Sequence, residues 1–168
     1  MITHIECIQN ESPVDLPEVK QHLRIEEDFD DVYLAKLIEA AIAYVETKLN
    51  RKIRRHRATY FIKEVHGAVL LPYGETNVAK VTTDDKPLAV PTDYVQGCGR
   101  VVFQAKHQNV TVTFECGYTN ESCPADIKHA LLLLVGTLYE QRMDISIGIQ
   151  TYKAYFSSEH LLQPHKLY

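Results

Sequence analysis

The stretch CGYTNESCPADIKHALLLLVGTLYEQR, residues 116–142, sets Cys116, Cys123 and His129 ahead of a run of leucines. Thiolate and imidazole are the ligands of structural zinc, and a cysteine served by a histidine is a nucleophile. The spacing suits neither use. Zinc ligands come in close pairs such as C-x2-C or H-x3-H, whereas six residues separate these two cysteines and no second pair follows. No Cys/His/Asn signature accompanies Cys123, although a helix start can lower a thiol pKa. A thiol enzyme using Cys123 is therefore the most distant of three functional readings.

The remaining chemistry is sparse. The eight histidines, at 4, 22, 56, 66, 107, 129, 160 and 165, form no H-E-x-x-H or H-x3-H pair. No G-x-S-x-G, P-loop, G-x-G-x-x-G or EF-hand spacing occurs. Asp84 and Asp85 stand beside Lys86 and Pro87, where a turn accounts for them. RKIRRHR, residues 51–57, is the one patch that could hold phosphate, and no stacking aromatic follows it before Tyr60. A small nucleic-acid-binding protein using this segment is the second reading. The expectation is a protein that is not an enzyme and has no metal or cofactor.

Bulk properties agree with an ordinary globular chain. Its 168 residues are 45% hydrophobic and 24% charged, a length that fits one domain. A net charge of -4 argues against coating nucleic acid by bulk attraction, because counterion release needs a positive surface. MITHIECIQNESPVD lacks a basic n-region and a long apolar stretch, so a cytoplasmic protein is expected, with its four cysteines as free thiols. The longest apolar run, Ala130 to Val135, is far short of the ~20 residues of a membrane span.

The elements that would position these groups follow from periodicity. In PVDLPEVKQHLRI, Asp15 is an N-cap, Pro17 lies in the first turn and Glu18 completes a capping-box spacing, giving a short helix from about Leu16 to His22. Leu34, Ile38, Ala41, Val45 and Leu49 make the stripe of a second helix, Asp30 to Asn50. Its start is acidic, with Glu26, Glu27, Asp28, Asp30 and Asp31. Its end is basic, with Arg51, Lys52, Arg54, Arg55 and Arg57, as the helix dipole prefers. Capping alone explains this polarity, and so do complementary patches between copies packed head to tail.

From Thr59 the period changes to short β-branched and aromatic runs: TYFIKEV, AVLLP, NVAKVT, YVQGCGRVVF and NVTVTFECGY. Val110, Val112 and Phe114 alternate with Thr111, Thr113 and Glu115, so that strand buries one face. A third helix runs from Pro124 to about Arg142, with Cys123 or Ser122 as its cap. Ile127, Leu131, Leu134 and Leu138 make one stripe on it; Leu132, Val135, Tyr139 and Met143 make another. One stripe suffices for a surface helix, so this one sits in a domain centre or partly against another subunit. In the tail, Ser157 or Ser158 caps a turn through Leu161 and Leu162 that Pro164 ends.

The expected fold is α+β and mainly helical: a short helix, a long helix and a central apolar helix. A single domain spans 1–168, with a small antiparallel β insertion at about 57–117, between the second and third helices, and a tail at about 143–168.

Two stretches resemble the head-tail connector proteins of tailed bacteriophages, in the longer variety with a β insertion often labelled as DNA packaging proteins. The first carries Pro13, Val14, Leu16, Glu18, Lys20, His22, Leu23, Arg24 and Ile25. The second carries Gly117, Tyr118, Pro124, Asp126, Ile127, Ala130, Leu134, Tyr139 and Arg142. The resemblance implies a non-enzymatic subunit of a ring of about a dozen copies under the portal. That ring would extend the DNA channel, pass packaged DNA without reading its sequence, and present a platform for a tail or stopper protein. The subunit would reside at the head-tail junction of the virion, and in the host cytoplasm before assembly. The family commonly ends in Leu-Leu-x-Pro followed by an aromatic and a base; here LLQPHKLY has His165 and Lys166 instead. Candidate subunit or portal contacts are Glu26, Glu27, Asp28, Arg51, Lys52, Arg54, Arg55, Arg57, Leu132, Val135, Tyr139, Leu161, Leu162 and Pro164.

Overall fold

The structure is a computed structural model that describes residues 1–9, 12–74, 76–84, 86–88, 93–97, 99–141 and 157–167. Arg142, Met143, Cys98 and the first part of the expected tail lie outside the described residues. The chain divides into two compact units: residues 1–11 with 54–119, and residues 12–53 with 120–166.

The first unit is a six-stranded sheet. Its strands are β1 (Ile2–Gln9), β2 (Arg55–Leu70), β3 (Thr76–Thr83), β4 (Lys86–Pro87), β5 (Tyr94–Gly97) and β6 (Arg100–Cys116). The order is β1-β2-β6-β3-β4, β5 pairs with β6, and every pairing is antiparallel. β2 and β6 form one long ladder from His56↔Cys116 to Leu70↔Arg100 with a register shift between Val65 and Gly67. Val110, Val112, Phe114 and Cys116 of β6 are buried, while Thr111, Thr113 and Glu115 are half-buried. Ala58, Val65, Val81, Val101 and Phe103 complete the core.

The expectation of a mainly helical fold with a small β insertion is wrong. Strands are as abundant as helices, and β2 and β6 are 16 and 17 residues long. The reason is physical. TYFIKEV and AVLLP read as two strands because Gly67 separates them, yet the register shift lets the ladder run through that glycine at φ +79°. Nor is the sheet wholly an insertion, since β1 comes from the N-terminus, a stretch that carries no strong strand pattern.

The second unit holds α1 (Leu16–Leu23), α2 (Asp31–Leu49), α3 (Ala125–Glu140), α4 (Ser158–Leu162) and a 3-10 turn at Gln163–His165. Asp15 caps α1 by accepting the Glu18 backbone N–H at 2.8 Å. Arg24 and Asn50 take left-handed conformations that end α1 and α2. The expected α2 stripe, Leu34, Ile38, Ala41, Val45 and Leu49, is buried throughout. α3 packs against α1, α2 and α4 through Ile127, Ala130, Leu131 and Val135. It starts one residue later than expected: Pro124 is the N-cap, and neither Cys123 nor Ser122 caps it. No described helix is long and apolar enough to cross a membrane.

Candidate assembly surface

The two ends of α2, about 28 Å apart at 1.5 Å per residue, are built differently. At the start, the left-handed Arg24 turns the chain out of α1, and Glu26, Glu27 and Asp28 follow as exposed residues. Lys20 Nζ donates to Asp28 Oδ1 at 2.5 Å and to Asp31 Oδ1 at 2.9 Å. The Lys20 hydrogen bond holds the Asp28 carboxyl below its usual range, and the bonds to Asp28 and Asp31 raise the lysine. Asp28 is thus occupied within its own chain, whereas Glu26 and Glu27 make no internal ion pair among the described residues.

Phe29 is the anomaly of this segment. It is 91% exposed, and Val32, in the first turn of α2, is 73% exposed. Burying either would be favourable by ~1.5 kcal/mol or more. Tyr139, at the end of α3, sits beside them: its hydroxyl donates to Asp30 Oδ2, and its ring lies 6.2 Å from that of Tyr33.

At the other end of α2, Glu46 organises the exit. It accepts from Lys52 Nζ and from the Ile53 backbone N–H, each at 2.9 Å. Arg51 Nε donates to the His165 carbonyl at 2.6 Å. Beside this exit lies a cavity of about 290 Å³ lined by Lys48, Leu49, Glu159, His160, Leu162, Gln163 and Lys166. Leu49 and Leu162 are fully buried beneath it, and Lys48 pairs with Glu159 at 3.3 Å.

The structure divides the basic segment. Arg51 and Lys52 belong to the helical unit; Arg54, Arg55 and Arg57 belong to the sheet unit. Glu115 of β6 accepts from Arg55 at 2.5 Å and from Arg57 at 2.8 Å, and Glu6 is 3.8 Å from Arg57. Hydrogen bonding from Arg57 pulls the Glu115 carboxyl below the ordinary range against its own desolvation. Most of this cationic charge therefore meets an internal carboxylate. Of the apolar candidates, Leu132 and Leu161 are half-buried and Pro164 is exposed, while Val135 and Leu162 belong to the core.

The cysteines do not converge on chemistry. Cys116 ends β6 in the sheet core, and Cys123 is buried in the helical unit. Burial pushes the Cys123 thiol up to about 11, with Lys128 opposing weakly, so the acidic thiol that a helix start allows is not formed. His129 is exposed and meets the His22 ring edge-on at 6.2 Å. Among the described residues no group of three His, Cys, Asp or Glu side chains could hold a metal ion.

Two features escaped the sequence reading. β1 is one; Phe29 is the other, and its signal was a lone aromatic inside EEDFDD, off the apolar stripe of α2.

The family model for head completion proteins matches residues 14–165. The chain belongs to the head completion protein family. That membership accords with the head-tail connector resemblance of its two motif stretches, and it makes the chain a structural part of a phage-type particle. The fold is similar to that of a chain in a structure described as the neck of an empty gene transfer agent (GTA) particle computed with C6 symmetry. There the TM-score is 0.74 and the identity 17%, over 98% of this chain and 95% of that one. A chain in the virion of a native GTA particle gives 0.71 at 17% identity, and one in a native GTA neck computed with C12 symmetry gives 0.69 at 18%, with the same coverage. At such identities the likeness is one of fold. No curated protein matches the chain.

Proposed function

We propose that this head completion protein acts as one connector domain in a ring of about a dozen copies, docked under the portal at the virion's head-tail junction. The ring extends the DNA channel, passes DNA without reading its sequence, and offers the platform for a tail or stopper protein. Before assembly the subunit resides in the host cytoplasm. The observation that carries this reading is the family match over residues 14–165. The fold shared over 98% of the chain with a chain from a GTA neck supports it.

The physical surface supports it too. Phe29 and Val32 lie open at one end of α2 and a cavity lies at the other. Nucleic-acid binding through residues 51–57 loses ground, because Lys52, Arg55 and Arg57 are held by Glu46 and Glu115.

The test is assembly of particles without this chain. Heads should fill with DNA yet fail to join tails and lose their genome, and adding the purified chain should restore joining. Particles that join tails equally well without it would overturn the reading.

A further inference from the structure

We draw no further inference here: the strongest candidate, the apolar outer face of the sheet where exposed Leu70 of β2 and Val95 of β5 flank Val102 of β6, carries nothing because nothing in the structure shows what covers it.

Discussion

The Tyr139 hydroxyl donates to Asp30 Oδ2 at 2.5 Å, joining the last turn of α3 to the N-cap of α2 across 109 positions of sequence. Asp30 makes no side-chain cap bond to the helix itself, and its carboxylate accepts from the phenol. The bond fixes the turn that presents Phe29.

Tyr139→Phe should lower the stability of the helical unit by about 1–2 kcal/mol, the value of a partly buried hydrogen bond to a charged acceptor. Denaturant unfolding followed by circular dichroism reads this directly. An unchanged midpoint would show that the contact carries no weight.

The acid sensitivity of the sheet unit should come largely from Glu115. Its carboxyl is held below the ordinary value of 4.5 by Arg57 and Arg55, so its contribution is complete above about pH 4.5 and is lost as pH falls through the depressed folded value. Glu115→Gln should therefore lower stability at neutral pH and flatten the dependence below pH 4.5. Melting temperatures from about pH 3 to 7 test the sign; a variant with the wild-type slope contradicts it.

Gly117 should tolerate no side chain. Its φ is +93°, and a Cβ there would stand 2.0 Å from the Arg54 carbonyl oxygen, where the end of β6 passes the start of β2. Gly117→Ala should destabilise by at least about 1–3 kcal/mol, the range for a residue forced into such a conformation, with the clash added. Thermal unfolding of the purified variant is the check, and a near-neutral result would refute this close approach.

Thiol reagents should separate Cys7 from Cys123. Cys7 is exposed on β1, whereas Cys123 is buried with its thiol pushed up to about 11, so at about pH 8 it offers little thiolate. Peptide mapping after brief alkylation should find Cys7 modified before Cys123. Cys123 reacting as fast as Cys7 would reopen the thiol-enzyme reading.

The helices were legible because each carried several concordant signals. Asp15, Pro17 and Glu18 mark the start of α1, and five stripe residues mark α2, whose expected limits Asp30 and Asn50 turn out to be its caps. The sheet was less legible, since strand length depends on pairing across the ladder: nothing local in Gly67 says that β2 continues through it. β1 is the extreme case. Its residues are largely exposed, and pairing with β2 rather than burial makes it a strand.

The pairing of charges on the candidate assembly surface was not legible for a similar reason. Charge polarity along α2 is a one-dimensional pattern, but which charges are satisfied internally is not. Asp28, Lys52, Arg55 and Arg57 read as available and are paired. Reversing Arg55 would set a carboxylate against Glu115 in its own chain, so the exposed Phe29 is the cleaner probe of assembly.

The most direct test of the central claim is the mass of the purified chain with and without the portal ring of its own particle, measured by native mass spectrometry at physiological salt. The account predicts that the portal gains one copy of the chain per portal subunit, about twelve in a closed ring, with no stable partial rings. A portal whose mass is unchanged across micromolar concentrations of folded chain would contradict it.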